Sequence, residues 1–92
     1  MTFLYVESML NYINIIKKNG KLTVYSSLKN ADALLPKDRF VRIHKSYIVA
    51  VEKINTIELK DVIINDIRLP IGRGNRNNII DAANKLGLVF RE

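Results

Sequence analysis

Apolar and polar positions along this chain alternate mostly with a period of two, in short runs broken by turn-forming pairs. Phe3 to Glu7 is apolar, aromatic and β-branched, and predicts a strand. Its abrupt start points to a domain cut from a longer polypeptide, with an upstream strand missing. Ser8-Met9-Leu10 reads as a short connection that displays Asn11. Asn11 to Lys17 alternates, with Asn11, Ile13 and Ile15 on one face and Tyr12, Asn14 and Ile16 on the other. Asn19-Gly20 then predicts a hairpin turn, since both residues tolerate positive φ. Lys21 to Tyr25 returns as the partner strand, with Leu22 and Val24 inward.

Ser27 suits an N-cap. Leu28, Ala31, Leu34 and Leu35 follow at helical spacing, and Pro36 ends the segment. This predicts a short amphipathic helix packed on a sheet, joined by Lys37-Asp38-Arg39 to the stretch around which the chain is organised. That stretch, Phe40 to Val51, alternates in its first half and is almost wholly apolar in its second. It reads as one buried strand entered through a positively charged lip, on which Arg42, His44, Lys45 and Ser46 are donors.

Glu52-Lys53 marks a bend. Ile54 to Leu59 predicts a strand with Ile57 and Leu59 on one side, Lys60-Asp61 a turn, and Val62 to Ile64 another strand. After the turn pair Asn65-Asp66, Ile67 to Ile71 alternates with Ile67, Leu69 and Ile71 inward. Pro70 cannot donate to a ladder, so this strand belongs at an edge or carries a bulge. Gly72-Arg73-Gly74-Asn75-Arg76 is a basic loop. A helix starts near Asn75, with Asn77-Asn78 in its first turn, and buries Ile79, Ile80, Ala83 and Leu86. Gly87 terminates it. Leu88-Val89-Phe90 is an apolar tail that either packs back on the domain or offers a patch to another chain.

The chain is thus mostly β with small α: short antiparallel sheets packed together, a short helix after the first hairpin and a C-terminal helix. Its 92 residues, 48% hydrophobic, make one small domain with a core. Fifteen Lys and Arg against nine Asp and Glu leave a formal charge of +6, which favours polyanionic partners. There is no cysteine, hence no disulfide or thiolate chemistry, in keeping with the cytoplasm. The start lacks the pattern of a signal peptide, and no apolar run approaches membrane-spanning length, so no membrane partner is expected.

Enzyme chemistry finds little here. His44 is the only histidine, and strand alternation turns its neighbours away from it. Gly72-Arg73-Gly74 lacks the third glycine and the lysine of phosphate-binding loops. No histidine pair has metal-ligand spacing, so no cofactor or metal is expected. Nucleic-acid chemistry is better served. Asn11 with Tyr12, then Arg42, His44, Lys45 and Ser46, then Arg73, Asn75 and Arg76 form three clusters of polar readers. Arg pairs with guanine, Asn with adenine, and Lys or Ser with phosphates and base acceptors. Taken alone, Ser46 and Asn75 suit backbone caps better than contacts, His44 suits a satisfied structural histidine, and Arg73 suits a solvated loop arginine as well as a reader.

FVRIHKSYIVAVEKI, from Phe40 to Ile54, resembles the signature of LytTR DNA-binding domains of bacterial response regulators. LYVESMLNYINI (Leu4 to Ile15), SLKNADALLP (Ser27 to Pro36) and RLPIGRGNR (Arg68 to Arg76) resemble further pieces of the family in the correct order. The resemblance covers nearly all of residues 1–92. It implies loops that enter successive major grooves of double-stranded DNA. By position, Asn11, Tyr12, His44, Lys45 and Arg73 would meet bases, and Arg42, Ser46, Asn75 and Arg76 phosphates. It also implies a homodimer on direct repeats, driven by an attached receiver domain in a two-component system. The sequence departs from the family in three ways: no strand precedes Leu4, no receiver domain is present, and Ala50 replaces a common asparagine. A rival reading is a protein-interaction module using a bare strand edge and the apolar tail. A further one, single-stranded RNA binding, finds no obvious stacking cluster among Tyr12, Tyr25 and Tyr47.

Overall fold

The computed structural model describes residues 3–88. In chain order it contains strands β1 (Phe3–Met9), β2 (Tyr12–Lys17) and β3 (Gly20–Tyr25), helix α1 (Leu28–Leu34), and strands β4 (Phe40–His44) and β5 (Tyr47–Ala50). A 3-10 turn (Val51–Lys53) leads to strands β6 (Thr56–Ile57), β7 (Asp61–Ile64) and β8 (Ile67–Pro70), then helix α2 (Arg76–Lys85). A five-stranded antiparallel sheet has the order β3-β2-β1-β5-β4, and a three-stranded one the order β6-β7-β8.

The larger sheet buries both faces. Val6, Ile13 and Ile48 pack beneath Leu28 and Ala31 of α1. On the other face Tyr5, Ile43 and Val49 join Ile57, Val62, Ile64 and Leu69 of the small sheet and Ile79 and Ala83 of α2. Each fully buried Ile or Val contributes roughly 1.5–3 kcal/mol of transfer free energy, so these two layers hold the sheet rigid. The large sheet is therefore the middle of three layers, fixed from both sides.

Several expectations need correction. The single strand expected from Phe40 to Val51 is a hairpin: β4 and β5 pair antiparallel, Phe40 opposite Ala50 and His44 opposite Tyr47, around Lys45-Ser46. The Asn19-Gly20 turn lies one residue earlier, at Lys18-Asn19, and Gly20 (φ +152°) opens β3 opposite Lys17. Leu22 shares the face of Ile15 and Val24 yet is exposed, because the seven-residue α1 reaches only the Val24 end. Leu34 points to solvent, and the inward residues are Leu28 and Ala31 of α1 with the partly buried Leu35 at its C-cap. β6 is two residues long, and Leu59, expected inward, is exposed beside the bend that precedes β7. Ile67 is also exposed, at the outer end of an edge strand that pairs only with β7.

Other local expectations hold for physical reasons. The Ser27 hydroxyl accepts the Asn30 amide at 3.1 Å. Asn65 and Asp66 take φ +50° and +70°, the double positive φ that a tight hairpin requires, between paired Ile64 and Ile67. β8, which carries Pro70, lies at a sheet edge. Gly87 adopts φ +75° after α2, and Leu88 packs against the core. Val89 and Phe90 of the expected tail lie outside the described residues.

Candidate nucleic-acid interface

The β1–β2 turn (Leu10-Asn11) and the β4–β5 turn (Lys45-Ser46) emerge at the same end of the large sheet. The cause is register: β5 pairs antiparallel to β1 with Tyr47 opposite Glu7, so the start of β5 lies beside the end of β1. The Ser8 amide donates to the Ser46 carbonyl at 2.9 Å, which ties the two connections together. On the far side of β4, the Gly72 amide donates to the Ile43 carbonyl at 2.6 Å. The loop from Gly72 to Arg76 is thereby held against the same end. Asn11, Lys45 and Arg73 are all exposed on these three adjacent connections.

Gly72 permits this closeness. A Cβ built there would lie 2.9 Å from Asn75 Nδ2 and 3.3 Å from the His44 Cα. Gly74 follows at φ +82°, which an L side chain rarely adopts. Between these two glycines Arg73 is carried outward.

The middle turn contains no glycine, asparagine or aspartate, and side chains close it instead. Arg42 donates through Nε to the His44 carbonyl (3.3 Å) and through Nη2 to the Lys45 carbonyl (2.9 Å). The Ser46 amide donates to His44 Nδ1 at 3.1 Å. With Nδ1 taken up as an acceptor, Nε2 is the ring nitrogen left to act as a donor. The ring also lies 5.6 Å from that of Tyr47. Arg42 and His44 thus shape the turn that displays Lys45, which sequence alternation alone does not reveal.

The β1–β2 turn is pinned on its other flank, where the Ser26 amide donates to the Asn11 carbonyl at 3.2 Å. Behind it, Asn14 is buried and bridges three strands: Nδ2 reaches Glu7 Oε2 at 3.1 Å, and Oδ1 accepts from the Thr23 hydroxyl at 2.7 Å. This polar ladder ends the apolar core. Beyond it Tyr12 stacks edge-on to Tyr25 with 5.3 Å between centroids, both rings exposed. Leu10, treated above as mere connection, stands wholly in solvent at φ +55°. A large apolar residue in a two-residue turn is the one sequence signal that could have drawn attention to it.

Asn75 precedes α2, but its side chain makes no capping bond. Arg76, the first residue of α2, directs Nε to the Glu58 carbonyl at 3.5 Å. Three other basic residues are paired internally. Arg39 meets Glu52 at 2.9 Å, Lys37 meets Asp32 at 3.6 Å, and Arg68 contacts both Glu58 and Asp61. Lys45 and Arg73 form no ion pair among the described residues, so their charge faces outward. An apolar cleft of about 260 Å³ beside Phe3, Phe40 and Ala50 lies at the opposite end of the sheet and includes none of these readers. Among the described residues no cluster of metal-ligating side chains occurs, and no helix is long and apolar enough to cross a membrane.

The LytTr DNA-binding domain family matches this sequence over residues 2–82. Among solved structures the chain is similar to one described as "LytTr DNA-binding domain of putative methyl-accepting/DNA response regulator" from Bacillus cereus. That likeness has a TM-score of 0.76 at 25% identity and covers 95% of this chain and 83% of the other. No curated protein matches. The turn-bearing sheet and the family match over residues 2–82 agree: the chain belongs to the LytTr DNA-binding domain family.

Proposed function

We propose that this domain binds double-stranded DNA sequence-specifically as the output domain of a response regulator, and reads it with turns rather than a recognition helix. The observation that carries the reading is the row of three connections at one end of the large sheet, joined through Ser8 to Ser46 and Gly72 to Ile43. Each holds out a side chain suited to a base edge: the Asn11 amide to adenine, the Lys45 ammonium to guanine acceptors, the Arg73 guanidinium bidentately to guanine. Tyr12 and the His44 Nε2–H flank them. Ser46, Asn75 and Arg76, with what Arg42 has left beyond its turn bonds, face phosphates. The formal charge of +6 supplies attraction to the duplex.

In this reading the domain works in the cytoplasm as a homodimer on direct repeats, with an attached receiver domain controlling association. Phosphate contacts supply affinity and salt dependence, and the turn residues supply preference. The test is selection of bound sites from a random duplex library, followed by affinities on selected and random duplexes at several salt concentrations. Recovery of a defined motif that binds far more tightly than random duplex is expected. Equal affinity for both would overturn sequence-specific reading.

A further inference from the structure

Leu10 presents two costs that nothing inside the fold offsets. The residue is 101% exposed, so its isobutyl group stands in water. Its backbone takes φ +55°, where a Cβ crowds the carbonyl and where glycine, asparagine or aspartate is the ordinary choice. Strain of this kind persists where the surroundings fix it, and it concentrates at functional positions. Here the surroundings do fix it: Ser26 holds the Asn11 carbonyl and Ser8 holds Ser46, on either side of the turn.

The place of the turn says what could cover Leu10. It precedes Asn11 directly, at the end of the sheet that also bears Lys45 and Arg73. The exposed Met9, Tyr12 and Tyr25 extend the apolar surface behind it. In a DNA major groove one base feature is apolar, the C5-methyl group of thymine, and the other edges are donors and acceptors. We propose that Leu10 is a specificity-determining residue that seats its side chain against a thymine methyl while Asn11 addresses a neighbouring base. This rests on the DNA reading given above and adds a base and a contact type to it.

The test deletes the methyl group from the DNA alone. In the selected duplex each thymine is replaced in turn by deoxyuridine, and affinity is measured for the wild-type chain, Leu10→Gly and Leu10→Asn. Both variants suit the positive φ, so the turn is kept. The wild type should lose roughly fourfold at one thymine, the size of one buried methyl group. The variants should bind the thymine and uracil duplexes equally. A wild type that tolerates uracil throughout, or variants that keep the same penalty, would overturn the proposal while leaving duplex binding intact. A wild type that selects no duplex at all would overturn both readings. Sedimentation of the DNA-free protein covers the other occupant: a dimer that Leu10→Gly dissociates would make the tip a contact between copies and end the thymine assignment.

Discussion

The amide of Ser8 and the carbonyl of Ser46 are joined by a 2.9 Å hydrogen bond, so two turns 35 residues apart in sequence, Leu10-Asn11 and Lys45-Ser46, are structurally one surface. The bond exists because β5 inserts beside β1 in the sheet order. Gly72 extends the same surface by bonding the outer edge of β4. Position in this row, rather than position in the chain, decides which residues can act together.

Gly72→Ala should disturb the row more than its size suggests. The new methyl group would meet the Asn75 side chain and the His44 backbone, and the latter cannot swing aside. Overpacking of this kind costs about 1–3 kcal/mol. Urea denaturation should show that loss, together with weaker binding to the selected duplex.

Arg42 and Lys45 should separate. Arg42→Ala removes two bonds to turn carbonyls and should cost about 1–3 kcal/mol of stability, since both use a charged donor. Lys45→Ala, exposed and without an ion pair among the described residues, should leave stability within about 0.5 kcal/mol. Its effect should appear in binding to the selected site. Thermal melts of the two variants beside matched binding curves check this.

Leu10→Gly should make the free domain more stable. Relief of the φ +55° strain is worth roughly 1–2 kcal/mol, and the freer unfolded glycine chain returns about 0.5–1 kcal/mol of it. A small rise in melting temperature, in a variant that reads DNA less well, would mark a position where stability gives way to recognition.

Alkaline stability should fall through Tyr5. Burial, then the Glu7 charge, then Tyr47 hold its phenol above the ordinary value of 10.0. The folded state therefore keeps a proton that the unfolded state releases, and stability decreases as pH rises above about 10. Melting temperatures measured between pH 9 and 11 should decline, and Tyr5→Phe should show a shallower decline.

Local chemistry made much of this fold legible in the sequence. Asn65-Asp66 can adopt two positive φ values, Ser27 can cap a helix, and Ile79 with Ala83 has helical spacing, so each announces its element. The β4–β5 reversal did not, because Arg42 and His44 close it from outside the turn and leave Lys45-Ser46 without turn-forming residues. Leu22 failed for a different reason: periodicity gives a face, but the length of the covering element decides burial. The candidate contact residues were legible as types. Their adjacency was not, since it depends on β5 choosing β1 as its neighbour.

The central claim is that the three connections act as one ordered reading edge, with Lys45 between Asn11 and Arg73. Base preference at every position of the selected duplex, measured for Asn11→Ala, Lys45→Ala and Arg73→Ala, tests it most directly. Each variant should relax preference over its own short block of bases, at roughly 1–3 kcal/mol per lost contact, and the Lys45 block should fall between the other two. Uniform weakening on selected and random duplexes alike, or blocks in another order, would contradict it.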